Sequence, residues 1–285
     1  MIRLCAILPT HATDETLRMA ERLHIWGTGV SFPAEATEAD AWALGRRFAA
    51  AGLHIVQVGD YVNLSSPLPE ARARAVAHLT RSLRLAAAAG CPAVVTGAGH
   101  CDPSCPDAIF SAHPENWAPS ALDRLVQTCR EVVEAAADTG VRLLVEPWVM
   151  SPLASLNNAG QAVRRVGHPG FGILFDPVNL MNLDTYFDNG SFLRRAVQQL
   201  GSAIGLVHAK DTRLHPERFT FHMAEEPVGQ GALDYPALLG ALAALPGDVP
   251  LCVEHVHTEA EVAAALGHLR RVSEQVGIPL GEAER

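Results

Sequence analysis

Short apolar runs alternate along this chain with longer segments whose apolar positions recur at three- and four-residue intervals. The short runs fall at 2–8, 27–32, 54–59, 93–97, 142–147, 171–176, 204–209 and 250–255. Their length and content predict β-strands. The segments between them, at 14–24, 38–51, 69–89, 119–139, 157–166, 191–200, 234–244 and 258–275, are rich in Ala, Leu and Arg and predict helices. Eight strands, each followed by a helix, give about 36 residues per unit, the rhythm of a (β/α)8 TIM barrel. The helix ends carry ordinary signals. Thr13 or Asp14 can cap the first helix, and Gly52, Gly90 and Gly140 stand where the second, third and fourth should stop. The first two strands are the least regular, because glycines break up Ile25-Trp26-Gly27-Thr28-Gly29. No Pro/Gly/Ser-rich linker divides the chain, so a single α/β domain over residues 1–285 is expected. Two long irregular stretches, 98–118 and 211–233, fall on the carboxyl-end face of such a barrel, where active-site loops lie.

Composition narrows the function. Apolar residues make up 48% of 285, enough for one sizeable core. The formal net charge is −9, which argues against a nucleic-acid partner and against attraction to an anionic membrane surface. No stretch approaches the ~20 apolar residues that span a bilayer. The apolar start at residues 1–9 is too short for a signal-peptide core. Six scattered cysteines fit a cytoplasmic thiol protein better than a disulfide framework. Cys101 and Cys105 are close enough for half a zinc site, but without a second pair they read as two loop thiols.

The chemistry gathers at strand ends. Val145-Glu146-Pro147 closes the fifth strand and Phe175-Asp176-Pro177 the sixth. Val207-His208-Ala209 closes the seventh and Val253-Glu254-His255 the eighth. Any one of these is an ordinary surface ion pair, rim histidine or turn entry. Four consecutive strands ending in Glu, Asp, His and Glu put all four side chains at one rim. Three carboxylates converging there repel one another unless a cation sits between them. The set suits Mn²⁺ first, with Mg²⁺, Co²⁺ and Zn²⁺ also compatible.

These strand ends, together with His113-Pro114-Glu115-Asn116-Trp117, Asp176-Pro177-Val178-Asn179-Leu180, His208-Ala209-Lys210-Asp211 and Gly229-Gln230-Gly231-Ala232-Leu233-Asp234-Tyr235, carry a resemblance. The chain resembles the sugar phosphate isomerase/epimerase family, the xylose-isomerase-like TIM barrels, most strongly over 113–256. The resemblance implies one divalent metal held by Glu146, Asp176, His208 and Glu254. It implies a sugar or sugar-derivative substrate, deprotonated next to its carbonyl to a metal-stabilised enediolate. Glu146 and Glu254 would be the acid/base pair, one removing the proton and the other returning it. Ketose 3-epimerases of the family carry Asp-x-x-His on strand six, where this chain has Asn179, which can bond a hydroxyl but carries no charge. Their second strand-five glutamate falls near Pro152, and their substrate arginine is matched by Arg213. These departures fit an oxidised or glycosylated sugar better than a free ketose.

Other rim residues are candidates for substrate contact. Lys210 lies two beyond His208, so strand alternation points it the same way, either to stabilise an oxyanion or to pair with Asp211. His100 follows the fourth strand, and His222 lies in the second long loop. Trp148 offers an apolar wall to a sugar ring, or simple packing. His255 and His257 are read as structural, turned away from Glu254 by alternation. The expected function is a metal-dependent sugar isomerase or epimerase. A lyase or dehydratase on a keto-sugar or keto-glycoside is the alternative, and a non-catalytic sugar-binding barrel is a third. An abasic-site endonuclease shares the fold, but the acidic charge opposes it. Association into homo-oligomers is compatible with the sequence without being specified by it.

Overall fold

The computed structural model describes residues 1–9 and 13–282. It begins β1 (Ile2–Ala6), α1 (Thr13–Leu23), β2 (Gly27–Val30), α2 (Glu38–Ala50), β3 (His54–Gly59), α3 (Pro69–Ala88) and β4 (Ala93–Gly97). A 3-10 turn (Pro114–Trp117) precedes α4 (Pro119–Ala135), then follow β5 (Arg142–Glu146), α5 (Leu156–Val166) and β6 (Phe171–Phe175). Next come a 3-10 turn (Val178–Leu180), a short α6 (Leu183–Tyr186), α7 (Asn189–Leu200) and β7 (Ile204–Ala209). The chain continues through β8 (Asp211–Leu214), β9 (Met223–Glu226), α8 (Tyr235–Ala243), β10 (Val249–Val253), α9 (Glu259–Val276) and β11 (Leu280–Gly281).

The strand order β1-β2-β3-β4-β5-β6-β7-β10, with β10 pairing back to β1, is a closed eight-stranded parallel barrel surrounded by helices. The short β11 adds to β1 at Ile2 and Arg3. Parallel strands are covered on both faces, which is why β4, β6 and β10 are buried along their whole length.

By packing, the chain groups into two compact units. The first is Met1–Thr28, Asp176–Ser202 and Leu206–Arg285. In it β1 pairs with β10 from Ile2↔Val249 to Ala6↔Val253, and β10 pairs with β7 from Leu251↔Val207 to Val253↔Ala209. The second is Gly29–Phe175 with Ala203–Gly205. There β4 pairs with β5 from Ala93↔Arg142 to Gly97↔Glu146, and β5 with β6 from Leu143↔Phe171 to Val145↔Ile173. Within this unit the half-buried Arg142 lies across its neighbours, donating to the carbonyls of Ala203 at 3.0 Å and Phe171 at 3.4 Å. Gly172 makes room for it: a Cβ there would stand 2.2 Å from Arg142 Nη2.

Helix ends follow the expected chemistry in most places. Gly52 and Gly90 take positive φ, near 70°, just past α2 and α3, whereas Gly140, with φ 68°, follows the 3-10 turn after α4 rather than α4 itself. Thr37 with Asp40 and Thr258 with Glu261 form capping boxes, each worth about 1 kcal/mol. Thr13 and Asp14 are corrected: both lie inside α1, where Asp14 meets the positive end of the helix dipole. The predicted 119–139 helix ends at Ala135, and a separate 3-10 turn covers Ala137–Thr139. The 98–118 stretch is irregular apart from its one turn, but 211–233 is not. It contains the antiparallel hairpin β8–β9, paired from Asp211↔Glu226 to Leu214↔Met223.

Candidate metal centre

Three of the four strand-end residues are carried by the first unit. Asp176 follows β6 and is fully buried. Its Oδ1 accepts backbone N–H bonds from Val178 at 2.9 Å and Asn179 at 3.4 Å, so it caps the 3-10 turn that Pro177 starts. That fixes the carboxylate's orientation, with Oδ2 2.9 Å from Lys210 Nζ. His208 lies on β7 in register with Cys252 of β10. Glu254 follows β10 and extends the ladder through an N–H donated to the Ala209 carbonyl at 3.2 Å. The two side chains meet at 2.6 Å, His208 Nδ1 to Glu254 Oε2, while Glu254 Oε1 lies 3.1 Å from Lys210 Nζ.

Glu146 ends β5, half-buried, in register with Gly97 of β4. Tyr61, just past β3, donates its hydroxyl to Glu146 Oε2 at 2.9 Å. Glu146, Asp176, His208 and Glu254 each offer one ligand atom, and the four atoms lie within 4.8 Å of one another. A cation bound at ~2.1–2.5 Å holds opposite ligands ~4.2–5 Å apart, so the spread fits a single ion. The donor set fits too: three carboxylates make it oxygen-rich and anionic, and one imidazole extends it to transition metals. Three of the four are buried, where carboxylates need compensating positive charge.

Lys210 supplies part of that charge. Burial alone would lower its pKa, but Asp176 and Glu254, with Glu225, raise it above the ordinary lysine value, so the ammonium stays charged. Burial likewise pushes the Glu254 carboxyl up, and the His208 imidazole, Lys210 and His255 outweigh it and hold the group well below the usual range. Glu225 is lowered to about 2, chiefly by its bond from His255. The backbone of Lys210 is held by Tyr235, whose buried hydroxyl donates to the Lys210 carbonyl at 2.8 Å.

Two sequence expectations are corrected here. Lys210 takes Asp176, Glu225 and Glu254 as its partners rather than Asp211. Asp211 instead gathers backbone N–H groups from Thr212 and Leu233 on Oδ1, both at 2.9 Å, and from Gly229 on Oδ2 at 3.0 Å. His255 does not turn away from Glu254. Alternation ends with β10 at Val253, His255 takes φ 52°, and its Nε2 comes within 3.9 Å of Glu254 Oε2.

The remaining candidates are placed less centrally. His100 is buried with both ring nitrogens engaged, Nε2 by the Ala108 carbonyl at 3.0 Å and Nδ1 by the Asp102 N–H at 3.1 Å. It pins the 98–118 loop, as does Asn116, which spans Cys101, Ser111 and Met150. Trp148 packs edge-on against Phe110, with centroids 5.2 Å apart. Arg213 points to Glu226 at 3.2 Å and to the Gln230 carbonyl. His222 is exposed beside His215. Asn179 stays next to Asp176 through its backbone. Cys101 is buried against Arg124 and Cys105 is only partly buried, both as free thiols. Sequence reasoning missed Tyr61 and Glu225. Tyr61 follows a strand end at the same rim as the ligands, a usable signal, whereas nothing marks Glu225 among the acidic residues of its loop.

A family profile described as xylose isomerase-like TIM barrel matches residues 20–272. The chain belongs to that family. Among curated proteins none matches this member. Solved structures do. A xylose isomerase domain protein from Planctomyces limnophilus is 21% identical with a TM-score of 0.72, covering 97% of this chain and 98% of its own. The 3-keto-D-glucoside 4-epimerase of E. coli is 17% identical with a TM-score of 0.72, covering 96% and 100%. A xylose isomerase-like TIM barrel protein from Mycobacterium smegmatis, in complex with magnesium, is 19% identical with a TM-score of 0.68, covering 93% and 89%. At these identities the likeness is one of fold. Among the described residues no helix of this family member is long and apolar enough to cross a membrane.

Proposed function

We propose that this protein is a divalent-metal-dependent isomerase or epimerase acting on a sugar or sugar derivative. The observation that carries the reading is the convergence of four ligand atoms, from Glu146, Asp176, His208 and Glu254, within 4.8 Å. These four residues would hold the ion, Mn²⁺ in the first instance. When bound, it supplies Lewis acidity, polarising a carbonyl and offsetting negative charge on the neighbouring oxygen. The protein's own groups do the rest. Glu254 and Glu146 act as the proton-transfer pair, one carboxylate taking the proton from the carbon beside the carbonyl and the other returning it. Tyr61, bonded to Glu146 Oε2 at 2.9 Å, orients that carboxylate. Lys210 keeps a positive charge beside Asp176 and Glu254 and steadies developing oxyanion charge. Asn179 donates to a substrate hydroxyl, and Trp148 offers its ring to an apolar sugar face. Among the structural relatives are a 3-keto-D-glucoside 4-epimerase, a D-psicose 3-epimerase and an L-ribulose 3-epimerase; because Asn179 and Pro152 depart from the ketose 3-epimerase pattern, an oxidised glycoside is the substrate class we favour.

Elemental analysis of the purified protein, followed by incubation of the metal-loaded enzyme with keto-sugars and ketoses in deuterated water, tests the reading. Solvent deuterium should appear at the carbon next to the carbonyl, and chelation should abolish it. A protein that binds no metal, or a broad panel with no exchange, refutes it. A product lighter than its substrate would reassign the step to elimination.

A further inference from the structure

Glu225 takes no part in the reaction above, yet both of its carboxylate oxygens are engaged at the site. It sits on β9 of the hairpin, with Oε1 3.0 Å from Lys210 Nζ and Oε2 2.6 Å from His255 Nδ1. An ammonium has three N–H donors. Lys210 meets three carboxylates, Asp176, Glu225 and Glu254, at 2.9, 3.0 and 3.1 Å. Two of these are candidate metal ligands and at most 9% exposed, while the third is 51% exposed. The lysine therefore competes with any metal for the same two carboxylates, and its contact with Glu225 draws it the other way. His255 completes the arrangement. Its φ of 52° is uncommon for a residue with a side chain, and it turns the chain directly after Glu254 so that the ring reaches the hairpin.

We propose that Glu225, latched by His255, is a positioning residue that holds the Lys210 ammonium on the hairpin side when a divalent cation displaces it from Asp176 and Glu254. Without Glu225 the displaced ammonium loses its alternative partner and stays on those two carboxylates as a tethered competitor. The inference rests on the metal reading above and assigns a role to residues which that reading leaves idle.

Calorimetric titration of Mn²⁺ into the metal-stripped full-length protein provides the test. Glu225→Gln should weaken binding by about tenfold, and so should His255→Asn, since asparagine tolerates the left-handed backbone but cannot reach the hairpin. Two double variants separate positioning from simple loss of charge. In a Lys210→Met background, Glu225→Gln should change affinity by less than about twofold, and His255→Asn should add nothing to Glu225→Gln. Melting curves check that each variant is folded, and Lys210→Gln replaces Lys210→Met if that one is not. Equal weakening with and without Lys210 overturns the proposal, because Glu225 would then act through its own field. Unchanged affinity in Glu225→Gln overturns it as well. A wild-type protein that binds no Mn²⁺ overturns the metal reading and this proposal together, whereas wild-type binding with additive variants overturns this proposal alone.

Discussion

Replacing Asp211 should loosen the loop that carries Glu225, and the size of the effect follows from its bonds. The side chain is buried at 1% exposure and accepts three backbone N–H groups, from Thr212, Gly229 and Leu233, at 2.9–3.0 Å. Hydrogen bonds to a charged group contribute ~1.5–3 kcal/mol each, and an unsatisfied buried donor costs its desolvation. Three such bonds at the low end give about 4.5 kcal/mol, reduced to about 3 kcal/mol because Asp211→Ala also removes a buried charge. Asp211→Asn keeps the Oδ1 acceptor for Thr212 and Leu233 but sets an amide N–H₂ against the Gly229 N–H. It should cost about half as much, ~1.5 kcal/mol. Urea unfolding followed by circular dichroism gives the ranking: wild type most stable, then Asn, then Ala, with the Ala midpoint lowered by about 1 M. Limited proteolysis within 215–222 should speed up in the same order. An Asp211→Ala midpoint within error of wild type, or an Asn variant less stable than the Ala variant, would refute the reasoning.

Four further outcomes are expected. Glu254→Gln should lower turnover at least ~100-fold while the protein remains folded, and residual activity above about a tenth would remove Glu254 from proton transfer. Tyr61→Phe deletes the bond to Glu146 Oε2 and should lower kcat about tenfold with little change in KM; an unchanged kcat means the carboxylate is oriented without it. Gly172→Ala places a Cβ 2.2 Å from Arg142 Nη2 and 2.6 Å from the Ala203 carbonyl, and should cost ~1–3 kcal/mol in urea unfolding; a neutral result would show that Arg142 moves aside freely. The Glu225–His255 pair should stabilise the fold in a defined pH window. Glu225 is lowered from 4.5 to about 2, so its share is complete above 4.5 and lost as pH falls through about 2. His255 is raised above 6.5 by Glu225, so its share is complete below 6.5 and lost as pH rises through the raised value. His255→Asn should therefore destabilise more at about pH 5.5 than at about pH 9, and equal destabilisation at both would sink the pairing.

Much of this molecule could be read before it was folded, because some of its features are local. Barrel strands are covered on both faces, so they are written as short unbroken apolar runs, and the runs of β4, β6 and β10 are buried throughout. Helix stops at Gly52 and Gly90 are written as the residue that tolerates positive φ. The four ligand candidates were legible for the same reason. A charged residue at the end of an apolar strand is a local pattern, and in a parallel barrel equal position along each strand means equal height at one rim.

What the tertiary structure decided is everything that depends on direction beyond a strand end. Alternation predicts a side chain's face only while the strand lasts; β10 ends at Val253, and a left-handed turn at His255 reversed the expectation for that ring. Of the two roles the sequence left open for Lys210, oxyanion stabilisation or a pair with its neighbour Asp211, the pair is not made, because that carboxylate is consumed by three backbone N–H groups of the loop. Nothing local marked the hairpin within 211–233 or the entry of Glu225, because pairing between β8 and β9 and the meeting of Glu225 with Lys210 join positions separated along the chain. Sequence alone determined which residue types stand at the rim of this barrel. Folding determined which of them neutralise one another, since charges act through distance in space, and the loops set that distance.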